Sequence, residues 1–142
     1  MSTFRTERIL GMDYGTKRIG LAVSDPFRNF AQPVGTFPPQ KITEAIQTIR
    51  RRDGVEKIVV GHPLNSDGSE NRMTAVVDRF VEELRKTFPD LAIETLDEHG
   101  STKEAQKVLV ASGRSRRERR EKGRLDAAAA CLLLQNYLDS PR

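Results

Sequence analysis

One cysteine, no tryptophan, two histidines, six phenylalanines and two tyrosines stand in a chain of 142 residues. Each scarcity excludes something. Cys131 has no partner for an internal disulfide, and with His62 and His99 as the only histidines a zinc centre of clustered Cys and His lacks ligands. A thiol nucleophile has no support either, because Cys131 lies within AAAACLLL, where a small apolar side chain suits the buried side of a helix. No run approaches the ~18 apolar residues of a membrane span, and MSTFRTERILG lacks the apolar stretch of a secretion signal, so the expected location is cytoplasmic. Repeats, low-complexity tracts and a dividing linker are all missing, which makes residues 1–142 one expected domain. At this length folding buries roughly 70% of the unfolded chain's surface, enough to need no staple.

Charge is present and unevenly placed. Lys and Arg number 24 against 20 Asp and Glu, a formal net of +4. The segment RSRRERREKGR, residues 114–124, holds seven basic and two acidic side chains, leaving 17 basic against 18 acidic elsewhere, so it alone accounts for the positive excess. A solvated helix end or loose loop is the plain reading. Its position just before Asp126 favours another, a basic loop over 112–124 whose charge sits beside that acid and holds a phosphate backbone.

Apolar periodicity alternates between strand-like and helix-like segments, the pattern of an α/β domain. Residues 8–14 and 18–24 read as antiparallel strands joined by a connection too short for a helix. A third strand is expected over 32–37 and a helix over 41–53, with Ile42, Ala45, Ile46 and Ile49 at helical spacing, stopping near Gly54. KIVVG, residues 57–61, is a short apolar strand. Ser69 is placed to cap a long helix with Met73, Val76, Val77, Phe80, Val81 and Leu84 as its stripe, and residues 91–97 are again extended. Strands separated by helical crossovers are parallel, so Asp13, His62 and Glu98 should end at the same sheet edge, where open α/β sheets place ligands. Ser101 and Glu104 suggest a capping box for a helix ending at Gly113. A last helix starts near Arg124, with Leu125, Ala128, Ala129, Leu132, Leu133 and Asn136 or Tyr137 as its stripe and Asp126 in its first turn.

Three carboxylates thus converge: Asp13, Glu98 and Asp126. A turn-capping role for Asp13 and a first-turn role for Asp126 are the plain alternatives, and Asp97 competes with Glu98. Yet a charge on the strand face that also carries Ile9 is costly without a partner, and Gly11, Gly15 and Gly20 leave room around it. Gathered carboxylates in a basic chain suit Mg²⁺ or Mn²⁺, one or two ions, acting on a phosphodiester. Expected nucleic-acid contacts are Lys17 and Arg18 after Asp13, Asn65 in the turn GHPLNSDGSE, and Arg114, Arg116, Arg117, Arg119, Arg120, Lys122 and Arg124.

The stretches GMDYGTKRIGLAVSD, IVVGHPLNSDGSE, LDEHGST and KGRLDAAAA resemble, in order and over nearly the whole chain, the motifs of the YqgF (RuvX) family. The resemblance implies a ribonuclease H-like fold, a mixed five-stranded sheet flanked by helices, related to RuvC-type Holliday-junction resolvases. It implies nuclease action in 5′-end processing of pre-16S ribosomal RNA, with Asp13, Glu98 and Asp126 as catalytic and metal-binding acids and the basic segment as a mobile loop beside them. The partners implied are precursor rRNA and ribosomal particles, with branched DNA as the alternative, and the expected state is a monomer or weak dimer. One departure stands at the second acid, where the family pattern Asp-Glu-Arg becomes Asp97-Glu98-His99. That replaces a fixed positive charge by a group titrating near neutrality, or by a solvent-facing side chain. GMDYGTKRIGLAV also resembles the phosphate-binding turn of actin-like ATPases, but those hold nucleotide between two domains and this length provides one. A non-catalytic RNA-binding protein of the same fold is the third reading.

Overall fold

β1 (Arg8–Tyr14) and β2 (Ile19–Ser24) form the expected antiparallel hairpin, closed by the Gly15 amide donating to the Arg18 carbonyl at 2.9 Å. The computed structural model describes residues 7–15, 17–98 and 122–140, the side chains of 122–126 excepted. β3 (Ala31–Phe37) pairs antiparallel with β2, and a short 3₁₀ turn leads into α1 (Ile42–Arg52). Gly54 then takes a left-handed φ of 82° with its amide on the Arg50 carbonyl, which ends the helix as anticipated. β4 (Val55–Pro63), α2 (Arg72–Thr87) and β5 (Ala92–Glu98) follow, and α3 (Lys122–Asp139) closes the described chain.

The five strands make one mixed sheet in the order β3-β2-β1-β4-β5, with β1, β4 and β5 parallel. Alternation along the strands divides the core between two faces. Leu10, Met12, Ile19, Leu21, Ile58, Val60 and Ile93 face α1 and α2, meeting Ile42, Ile46, Val77 and Val81. Ile9, Ala22 and Val59 point the other way, against Ala130, Leu134 and Tyr137 of α3. The sheet is therefore covered on both sides, while its edge beyond the carboxyl ends of β1, β4 and β5 faces loops.

Several expectations need correction. Ser69 does not cap α2; its amide and hydroxyl both donate to Asp67, at 2.9 and 2.6 Å, which shapes a turn instead. The cap is Asn71, whose side-chain oxygen accepts from the Met73 and Thr74 amides while Thr74 returns a bond to the Asn71 amide. α3 begins at Lys122, so Asp126 lies in its second turn, beyond the reach of a first-turn dipole argument. The stripe of α3 is also rotated. Ala127, Ala130, Leu134 and Tyr137 are buried with Ala129 and Leu133, whereas Asn136 is exposed. The expected helix with Ser101, Glu104 and Gly113 lies outside the described residues.

Tyr137 ties the end of α3 to the sheet. Its hydroxyl accepts from Lys57 Nζ at 2.6 Å and donates to Glu94 at 3.3 Å, while Lys57 also pairs with Glu94 at 2.8 Å. The hydrogen bonds to Glu94 and Tyr137 hold the Lys57 ammonium above its ordinary value. Cys131 is half-buried rather than buried, and desolvation pushes its thiol up to about 11. At pH 8 roughly one thiol in a thousand is then ionised. Labelling by a disulfide reagent should be slow in the folded protein and quicken about tenfold per pH unit from 8 to 10. Rapid labelling at pH 8 would contradict that environment.

Candidate active site at the carboxyl edge of the sheet

Asp13 is the penultimate residue of β1 and shares its face with Ile9 and Gly11, the face covered by α3. Within the sheet it lies between two glycines. Gly20 is its register partner on β2. On the other side Met12 pairs with Val60, so the next step puts Asp13 beside Gly61 of β4. The half-buried carboxylate therefore stands in a gap three strands wide in which only it carries a side chain.

Glu98 ends β5 on the same face, since alternation along that strand puts Glu94 and Leu96 against the α3 side and Ile93 against the other. It is only 8% exposed. Its carboxyl group lies over Gly61: a Cβ built on that glycine would collide with the Glu98 Oε2 and Cδ atoms. Reaching across β4 in this way brings the carboxyl toward Asp13, one strand spacing or roughly 5 Å from β1. The backbone at this end is held too, because the Leu64 amide donates to the Glu98 carbonyl at 3.0 Å and Thr74 Oγ1 donates to the Pro63 carbonyl at 2.6 Å.

The third acid is reached through the helix. Tyr137 contacts Lys57, the register partner of Ile9, and Ala130 and Leu134 lie against Gly11, so α3 crosses β1 obliquely and runs toward the carboxyl edge over β1 and β2. From Gly11 to Asp13 is about 7 Å along a strand. One helical turn from Ala130 to residue 126 covers about 6 Å, which carries that helix position to the level of Asp13. The Asp126 side chain lies outside the described residues. Among the described residues no three His, Cys, Asp or Glu side chains form a metal cluster; Asp13 and Glu98 stand on the same face of the sheet at its carboxyl edge.

The other expected residues distribute unequally. Lys17 and Arg18 are exposed in the turn that follows Asp13, at the same edge. Asn65 is engaged within its own loop: its amide group donates to Ser69 Oγ at 3.0 Å and the Glu70 carbonyl at 3.3 Å and accepts from Asn71 at 3.3 Å. In that loop the Ser69 hydroxyl and amide hold the Asp67 carboxyl below its ordinary value. His62 is the penultimate residue of β4 at this edge, but on the opposite face, with its ring between Asp78 at 2.8 Å and Asp97 at 3.4 Å. Asp97 goes with it, which leaves Glu98 as the acid of its pair on the Asp13 face. Arg114, Arg116, Arg117, Arg119 and Arg120, His99, and the side chains of Lys122 and Arg124 lie outside the described residues. Sequence reasoning missed Gly61; alternation along KIVVGH already put it opposite to His62, but its place beside Asp13 needed the β1–β4 register.

The donor chemistry fits a hard divalent cation: carboxylate oxygens on one face, glycines where bulk would obstruct, and no clustered soft ligand among the described residues. Among those residues, no helix is long and apolar enough to cross a membrane.

Comparisons with known proteins bear on the fold and the family. A solved structure described as "T. thermophilus RuvC in complex with Holliday junction substrate" superposes with a TM-score of 0.55 at 14% identity, covering 93% of each chain. That likeness shows the fold, the ribonuclease H-like arrangement of a mixed sheet with flanking helices. A protein of Chlorobium phaeobacteroides (strain BS1) named "Putative pre-16S rRNA nuclease" is 59% identical over 140 residues, 99% of this chain and 97% of its own. One of the same name from Chlorobaculum tepidum is 57% identical over 140 residues, 99% of each. A family model described as "RuvX: Holliday junction resolvase" matches residues 7–140, and the chain belongs to that family.

Proposed function

We propose that the chain is a metal-dependent nuclease, one domain over 1–142, that hydrolyses phosphodiester bonds of precursor 16S rRNA in the cytoplasm. The observation that supports it most directly is the placement of Glu98 across Gly61 toward Asp13, which gathers two acids of distant strands on one open edge. Asp13, Glu98 and Asp126 would hold one or two Mg²⁺ or Mn²⁺ ions. A divalent cation bound there would offset the charge of the carboxylates, promote ionisation of the attacking water and stabilise the leaving oxygen.

The rest is done by the chain itself. Rigid strands fix Asp13 and Glu98, so little reorganisation is needed when substrate arrives. Lys17 and Arg18, exposed beside Asp13, attract the phosphate backbone, and Arg114, Arg116, Arg117, Arg119, Arg120, Lys122 and Arg124 extend that attraction from the segment leading into α3. Asn65 contributes by holding the shape of the loop after β4, through its bonds to Ser69, Glu70 and Asn71, and a contact to phosphate would require it to exchange one of those bonds. Such contacts orient a polyanion without reading its bases, which suits processing at a site defined by RNA shape. Ribosomal particles are the setting in which that RNA would be met, by a monomer or weak dimer.

Branched DNA is the second reading, favoured by the description of the matching family and the junction-bound structural relative. A parallel assay separates the two. End-labelled precursor rRNA and a synthetic four-way junction are incubated with protein in Mg²⁺ and in chelator. Cleavage of the RNA alone, lost with chelator and restored by Mg²⁺, is expected. Junction cleavage alone would shift the substrate to DNA, and metal-independent cleavage of either would remove the ion from the mechanism.

A further inference from the structure

Gly61 and Gly11 both lie where a side chain would meet something, but the obstacles differ in kind. At Gly11 the nearest atoms to an added Cβ are the Leu134 Cβ at 2.7 Å and the Ala130 carbonyl oxygen at 3.1 Å, parts of a helix that cannot move alone. At Gly61 they are the carboxyl oxygen, carboxyl carbon and Cγ of Glu98, the far end of one flexible side chain. An alanine at 61 would thus leave the sheet in place and push the carboxyl aside. Glu98 is buried, its backbone is held by Leu64, and its carboxyl rests on the strand next to Asp13, so any displacement changes its distance from Asp13.

We propose that Gly61 is a positioning residue for the metal site: its missing side chain is the channel through which Glu98 crosses β4 to share a divalent cation with Asp13. The inference rests on the reading of Asp13 and Glu98 as metal ligands. It explains why the apolar run of β4 stops at a glycine when Val59, two residues earlier on the same face, is fully buried against α3. A valine at position 61 would extend that packing; it would also occupy the space of the Glu98 carboxyl.

The test measures Mn²⁺ binding by the full-length protein without substrate, read as loss of the free-ion resonance, for wild type, Gly61→Ala, Glu98→Gln and the double variant. Supporting groups around a metal ligand are worth about 10–100-fold in affinity, and Gly61→Ala should weaken Mn²⁺ by that factor with circular dichroism unchanged. In the Glu98→Gln background it should cost nothing further, because the ligand it positions is already gone. Wild-type affinity in Gly61→Ala beside lost affinity in Glu98→Gln overturns the inference alone. Wild-type affinity in Glu98→Gln overturns the metal reading and the inference with it. Thermal melts give an independent check should Gly61→Ala fold poorly: the destabilisation should disappear when Glu98→Ala removes the carboxyl. A penalty, or failure to fold, that persists in that double variant would show that Gly61 answers to something other than Glu98.

Discussion

Replacing Asp13 by Asn is expected to slow metal-supported cleavage by on the order of 10³-fold or more, while the melting curve stays close to that of the wild type. Asparagine keeps the volume and one oxygen of the side chain, so nothing in the packing between Gly20 and Gly61 is disturbed. What it loses is the negative charge. At an effective dielectric of ~20, one unit charge about 4 Å from another is worth roughly 4 kcal/mol. A thousandfold in rate corresponds to about the same energy, so loss of this one charge toward a divalent ion suffices. RNA binding in chelator should not weaken, because removing an anion cannot reduce the attraction of Lys17, Arg18 and the arginines before α3 for phosphate. A single-turnover assay on the cleaved substrate, with RNA binding measured separately, checks both parts. Cleavage within tenfold of wild type would remove Asp13 from the site.

The residues on which this prediction rests are legible in the sequence. Period-two alternation from Ile9 to Asp13 and a connection too short for a helix define the first hairpin. Ile42, Ile46 and Ile49 mark α1 by their spacing, and the short β4 and β5 runs separated by a long amphipathic helix imply parallel strands. Where the reading slipped, local signals were degenerate. NSDGSEN offers several residues able to cap a helix; Ser69 is drawn into the turn built on Asp67, and the helix starts two residues later, where the Asn71 oxygen accepts from the Met73 and Thr74 amides. AAAACLLL is apolar on every side, so its sequence has no phase; the phase shows only in the packing, where the Ala130 carbonyl and the Leu134 Cβ lie against Gly11 and Tyr137 follows on the same face. His62 reaches the expected edge but on the face opposite to Asp13, since strand ends specify a level and alternation specifies a side. Glu98 and Asp97, adjacent acids, were separable only by knowing which of them shares a face with Glu94 and Leu96.

Gly11→Ala is expected to damage stability and activity together, because one contact sets both. Two effects oppose each other in the free energy. Alanine restricts the unfolded chain and so favours folding by about 0.4–1 kcal/mol where its backbone conformation is ordinary, as it is in β1. Overpacking against a part of the core that cannot yield costs about 1–3 kcal/mol. The second should win, since the atoms met are the Leu134 Cβ and the Ala130 carbonyl oxygen, and making room requires α3 to lift from the sheet. Ala130, Leu134 and Tyr137 would lose contact with Ile9, Ala22 and Val59 as it did so. Residue 126, one turn before Ala130, would move with the helix while Asp13 stays with β1, so the spacing of their backbones would change. A misplacement of ~1 Å at a reacting centre can cost about 10²-fold in rate. Urea melts should therefore show Gly11→Ala less stable by ~1–2 kcal/mol. Cleavage under conditions where the variant is fully folded should fall by about 10–100-fold. Destabilisation with full activity would separate the α3 packing from the chemistry and leave Asp13 and Glu98 to act without the helix-borne acid.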